Sequence, residues 1–260
     1  MADSQRYSRA SRFLLVVFFL TLGCPRAAHA DTWSAGQMLT YSELDWAGLA
    51  NPAAPTLLNA DFNTVYAANF DVLTLGLSTG GFSMSFTSAA ALLNYLPASG
   101  PPGPLDANLA DPTSTNSGAF GGDVAALALN VDFSDGGFLS GTSGHKFGDL
   151  ILTNFDGSLA GLNGLTVDQF LGLTNTLLGG GSEPYTIAQL DPVAIDLSIS
   201  FLGGDPSDFA QESLLPPSGS SGEGTTPAPE PSSVLLLGTG LLALGIVQYR
   251  RRSTPNSISA

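Results

Sequence analysis

Residues 121–138 read GGDVAALALNVDFSDGGF, and the fold turns on how they are taken. From Leu127 the apolar side chains alternate: Leu127, Leu129, Val131 and Phe133, with Asn130 and Asp132 between the last three. Strict alternation matches the two-residue repeat of a strand with one face in the core and one in water. The stretch is therefore read as a β-strand that runs into the turn Ser134-Asp135-Gly136-Gly137. Working outward, residues 71–78 (DVLTLGLS) and 82–86 (FSMSF) flank Thr79-Gly80-Gly81 and read as a hairpin. Residues 147–155 (FGDLILTNF) form another apolar run, and residues 94–122, rich in Pro, Gly, Asp and Ser, read as a long loop.

Helical signals lie mainly toward the C-terminal side. Thr166 and Gln169 have capping-box spacing. Val167, Phe170, Leu171, Leu177 and Leu178 then share one face, and Gly179 to Gly181 ends the segment. Residues 89–96 read as a short helix. Ile195, Leu197, Ile199 and Phe201 alternate as a strand would, yet Asp191-Pro192 offers a helix start and Gly203 a stop, so helix is preferred. The expected body is α+β: a single, mostly antiparallel β body with two to four helices over residues 31–215. No internal repeat is visible, which argues against solenoids.

Composition narrows the function classes. The chain has 260 residues, a formal net charge of −14, and only 12% charged residues against about 25% in ordinary domains. Seven of its eight cations are in the terminal segments, so the 21 acids between Asp31 and Pro231 share the single base Lys146. Such a body cannot neutralise a nucleic-acid backbone or clamp phosphates, which excludes nucleic acid as a partner. Cys24 is the one cysteine, and His29 and His145 are the two histidines. Removal of residues 1–30 would leave no cysteine and one histidine, and with that no disulfides, cysteine nucleophile or Cys/His zinc site.

The two ends carry addressing information. Arg6, Arg9 and Arg12 precede ten apolar residues at 13–22 (FLLVVFFLTL), then Ala28-His29-Ala30 places small residues where signal peptidase reads them. Residues 1–30 are thus expected to be a signal peptide cut after Ala30, since ten apolar residues are too few to span a bilayer. At the other end, residues 216–228 form a Ser/Gly/Pro-rich linker. Pro229-Glu230-Pro231 follows, then an apolar run at 234–247 (VLLLGTGLLALGIV) and the cluster Arg250-Arg251-Arg252. A transmembrane helix is expected over 233–249, with the basic cluster holding residues 253–260 on the cytoplasmic side.

The tail resembles the PEP-CTERM sorting signal of Gram-negative bacteria. The resemblance rests on Pro229, Glu230 and Pro231, on Gly238, Gly240 and Gly245 interrupting the helix, and on Arg250 to Arg252. The same tail also goes by the label of ice-binding protein C-terminal domain, a label that need not describe the body. The resemblance implies an exosortase as the processing enzyme, a membrane-anchored precursor, and delivery of the body to the cell surface or exopolysaccharide matrix. Residues 61–215 also resemble a body type that recurs in PEP-CTERM proteins, in the phrase quoted at the outset and in FGDLILTNFDGSLAGLNGLTVDQFLGLTNTLLGGG. That second resemblance implies kinship and no mechanism.

The chemistry available to the body is sparse. His145 sits in the Gly/Ser-rich residues 140–146, without the G-x-S-x-G pattern of a serine nucleophile. Among 21 acids, a pair at glycosidase spacing arises by chance. Calcium is the one ligand suggested, through Asn130, Asp132 and Asp135 with Ser134 between them. Even so, Asp135 stands where a helix-loop-helix calcium loop needs Gly, and no Glu closes the loop. Asp205 and Asp208 form another acidic turn, and the scattered threonines do not make a flat ice-binding array. The expectation is a non-catalytic surface or matrix protein with no cofactor. The alternative is a secreted carbohydrate hydrolase, which would need a cleft holding two carboxylates, one of them with a raised pKa.

Overall fold

A computed structural model of the chain describes residues 32–139 and 141–217. Its order is α1 (Glu43–Trp46), α2 (Ala53–Val65), β1 (Leu73–Gly76), β2 (Ser83–Phe86), α3 (Ala89–Tyr95), β3 (Leu109–Ala110), α4 (Gly118–Asp135), β4 (Ile151–Leu152), α5 (Val167–Leu178), α6 (Ile187–Ser198), α7 (Asp208–Ser213) and β5 (Leu214–Leu215). The body is α+β, but helices dominate and the strands are short, which corrects the expectation of a mostly antiparallel β body with two to four helices.

The decisive stretch is a helix. α4 has 18 residues, about 27 Å of axis, and 14 of those residues are buried. Leu127, Leu129, Val131 and Phe133 do alternate, but Val124, Ala125, Ala126 and Ala128 are buried with them. A helix enclosed on all sides is apolar on all sides and has no 3.6-residue period to read. α6, α5, α1 and a 3₁₀ turn at Phe147–Asp149 surround it. Full burial of a Leu or Phe side chain is worth about 1.5–3 kcal/mol, so this helix carries much of the core. Asn130, expected on a solvent face, is buried and completely occupied. Its Oδ1 accepts from the Tyr41 N–H at 2.8 Å and its Nδ2 donates to the Tyr41 carbonyl at 2.7 Å, pinning the segment before α1 to the central helix.

Gly118 starts α4 with φ +58, and a Cβ there would lie 2.1 Å from the Pro101 carbonyl oxygen, so the entry to the helix admits no other residue without a shift.

Several local readings hold. The hairpin is present, with Leu73 opposite Phe86 and Gly76 opposite Ser83, and β3 adds alongside β2 in parallel. α3 begins after Ser88, whose hydroxyl accepts from the Ala91 N–H. α5 has the Thr166/Gln169 capping box, with the Gln169 N–H on Thr166 Oγ1 at 3.2 Å and the Thr166 N–H on Gln169 Oε1 at 2.9 Å. Other readings move. Residues 147–155 contribute a strand only at Ile151–Leu152. α6 starts at Ile187, where Gln189 Oε1 accepts from the Thr186 N–H, and Pro192 lies inside the helix.

The beginning and end of the body meet. Gln211 brackets Trp33, accepting from its N–H at 2.9 Å and donating to its carbonyl at 2.7 Å. The Trp33 indole N–H donates to the Leu214 carbonyl at 2.9 Å. β5 pairs antiparallel with β4, Ile151 opposite Leu215.

Candidate functional site

α4 presents two unusual carboxylates. Toward its C-terminal end, Asp132 lines a groove of about 540 Å³ that β1 and α5 also border. The Tyr66 O–H donates to Asp132 Oδ2 at 2.9 Å. The other oxygen, Oδ1, has no hydrogen-bond partner among the described residues. Burial pushes the Asp132 carboxyl up to about 6, the Tyr66 hydrogen bond pulls it back, and the charges of Asp135 and Asp168 add to the rise. Burial and the neighbouring Asp132 raise the Tyr66 phenol well above its ordinary value, so it stays a donor. One wall is fixed by Asn175, whose Oδ1 accepts from the Gly76 N–H at 2.8 Å. At the lip, Phe70 and Asp71 both adopt left-handed backbone, φ 59 and 61, and Phe70 is 93% exposed. Consecutive non-glycine residues in that region are costly and cluster where function demands a shape.

Toward the N-terminal end, Asp123 lies beside Asp191 of α6, near enough for each to act on the other's carboxyl. Glu43 of α1 lies beside them and accepts from the Ala98 N–H at 2.7 Å. Burial, then Asp191, then Glu43 push Asp123 up to about 8. Asp191 and Glu43 are raised as well, each chiefly by burial. Burial and the neighbouring acids therefore favour a protonated Asp123 at neutral pH. Gly122 makes room for this arrangement, since a Cβ on it would sit 1.9 Å from Glu43 Oε1. Asp191 Oδ1 is buried with no hydrogen-bond partner.

The calcium candidates do not converge. They lie on a helix rather than on a strand end and turn. The Asn130 amide is spent on Tyr41, Asp132 turns to Tyr66, and exposed Asp135 pairs with Lys146 at 3.7 Å. Ser134 Oγ accepts from the Phe147 N–H at 2.8 Å. Among the described residues no group of three or more His, Cys, Asp or Glu side chains is placed to hold a metal ion. The His145 ring stands edge-on to Trp33, centroids 6.3 Å apart. Its backbone N–H, not its ring, meets Ser143 Oγ at 3.2 Å. Tyr66, Phe70, Asp123 and Asp191 were not singled out by sequence, and nothing local to them could have done so, because their partners lie far along the chain.

Ala28, Ala30, Pro229, Glu230, Pro231, Arg250, Arg251 and Arg252 lie outside the described residues, as do the expected signal peptide, most of the linker and the membrane segment. Among the described residues no helix is long and apolar enough to cross a membrane. The C-terminal tail is reached by comparison instead. A family model for the PEP-CTERM protein-sorting motif matches residues 227–252. The chain carries a PEP-CTERM protein-sorting motif. The match covers Pro229-Glu230-Pro231, the apolar run and the Arg cluster, and marks the chain as an exported exosortase target. No curated protein and no solved structure matches the chain.

Proposed function

We propose that this is a non-catalytic surface or matrix protein. On this reading signal peptidase releases it at Ala30, the C-terminal helix holds the precursor in the inner membrane, an exosortase removes the tail, and the body passes to the exopolysaccharide matrix. The sorting motif at residues 227–252 is the observation that carries the reading. Its position behind a low-complexity tether suits presentation of a folded body to a membrane enzyme.

The hydrolase alternative is less well supported. Glycoside hydrolysis separates its two carboxyl groups by about 5–9.5 Å around the scissile bond. Asp123 and Asp191, both raised chiefly by burial, sit side by side where α4 meets α6 and do not line the groove. The groove, for its part, is lined by the single carboxylate Asp132.

Replacing Pro229, Glu230 and Pro231 together with alanine tests the sorting step. Intact mass and fractionation in the native host should then show a chain that starts at Asp31, keeps Arg250 to Arg252 and stays in the inner membrane. Normal tail removal and release of that variant would refute the proposal.

A further inference from the structure

We propose that the groove bounded by Phe70, Asp132 and Asn175 binds a neutral sugar unit of a polysaccharide, with the Phe70 ring as a stacking platform and Asp132 Oδ1 as a hydrogen-bond partner for a sugar hydroxyl. The inference rests on the reading of the chain as a protein exported to polysaccharide surroundings.

Three features of the groove select this ligand class. Its volume of about 540 Å³ falls within the range of about 300–1,000 Å³ usual for small-molecule sites. Its lip presents Phe70, 93% exposed and held out by left-handed backbone, so a large apolar ring stands in water where nothing within the body covers it. An aromatic face matches the C–H face of a pyranose ring. Asp132, Asn69, Thr74 and Ser78 supply acceptors and hydroxyl or amide donors beside that ring. A sugar, apolar on its faces and hydroxylated at its rim, uses both kinds of surface at once.

Charge sets the subclass. No basic residue lines the groove, and the body around it holds 19 acids against Lys146, so uronic-acid or sulfated sugars are repelled. Asp132 also distinguishes hydroxyl from ammonium ligands. A hydroxyl both donates and accepts, so it can pair with the carboxylate above pH 6 and with the protonated acid below it. An ammonium group needs the ionised form.

The test uses protein purified from its own host after export. Binding of neutral gluco-, galacto- and manno-tetrasaccharides, a uronic-acid tetramer and a chitosan tetramer is measured by calorimetry at pH 5 and pH 7.5. At least one neutral tetrasaccharide should bind at both pH values, more tightly than the uronic-acid tetramer. Phe70→Ala, at an exposed position, should weaken that binding at least tenfold while leaving the thermal midpoint unchanged. Binding of no neutral tetrasaccharide, equal binding by Phe70→Ala, preference for the uronic-acid tetramer, or capture of the chitosan tetramer alone and only at pH 7.5 would each overturn the assignment. Intact mass of the same preparation reports tail removal. Correctly processed protein that ignores neutral sugars refutes the groove assignment alone, whereas unprocessed protein refutes the sorting reading.

Discussion

Asp123 and Asp132 are nine residues apart on one helix, about 14 Å along its axis and on opposite sides of it. Both are partly enclosed acids in a body whose only cation is Lys146. Asp123 meets other acids: Asp191 from α6 and Glu43 from α1, with Tyr95 of α3 also within electrostatic range. Asp132 meets a neutral phenol, Tyr66. Without a cation, an enclosed carboxylate can keep its proton, as Asp123 does among other acids, or accept from a neutral donor, as Asp132 does from a hydroxyl and Glu43 from a backbone N–H. The first remedy ties helix packing to pH. The second leaves Asp132 Oδ1 without a hydrogen-bond partner among the described residues, and it is this oxygen that the proposal above assigns to a sugar hydroxyl.

The largest test of the contrast is a pH series. The unfolded chain releases the Asp123 proton near the ordinary aspartate value, and the folded body holds it up to about 8. The folded state therefore binds more protons between those limits, so this contribution is complete at acid pH and is lost as pH rises toward 8. Urea unfolding at constant ionic strength should show stability falling by on the order of 2–3 kcal/mol from pH 5 to pH 8.5, the shift being discounted for water reaching the pair. Asp123→Asn should flatten the portion above pH 6 and leave the smaller contribution of Asp132, which titrates at about 6. A wild-type profile that is flat or rises across this range would show that Asp123 does not retain its proton in the folded body.

A second test sharpens the same side. Gly122→Ala places a methyl group on Glu43 Oε1, drives the carboxylate away and strips the Ala98 N–H of its acceptor. A loss of roughly 2 kcal/mol is expected, from overpacking and the lost charge-assisted hydrogen bond. Wild-type stability in that variant would mean that Glu43 does not occupy the space.

The smallest effect belongs to the other side. Tyr66→Phe removes the donor to Asp132 and should cost about 1 kcal/mol at pH 7.5. Because that hydrogen bond lowers the Asp132 pKa, its loss should move the Asp132 titration further up, as followed by carboxyl carbon NMR. An unmoved titration would break the comparison, since Tyr66 would then not be the group that satisfies Asp132.

Local order was legible in the sequence, and enclosure was not. Thr166 with Gln169, and the turn Thr79-Gly80-Gly81, act within a few residues and form where expected. Thr186 with Gln189 has the same spacing, but Asp191-Pro192 drew the expected start of that helix into its middle. α4 was misread because Leu127, Leu129, Val131 and Phe133 fit a strand, while the buried alanines between Val124 and Leu129 contribute too little hydrophobicity to reveal a helix covered on every side. The site failed for a different reason. Tyr66 and Asp132 are 66 residues apart, and only the packed helices bring them together. Asp132 did stand out in the sequence, as a calcium candidate at a strand end, but its neighbours Asn130 and Asp135 are engaged elsewhere.

The clasp of Gln211 and Leu214 on Trp33 has a mechanical consequence. On the sorting reading proposed above, cleavage after Ala30 would leave a free N-terminus, and a pull from the membrane would reach the body through the chain that follows Leu215. Tension of that kind would meet the body where its two ends clasp, away from α4. What it loads is the two-residue pairing of β5 with β4 and the indole bond to Leu214, contacts at the margin of the body. A precursor tethered in that way would take the first load at the margin of its body, on bonds that involve few residues.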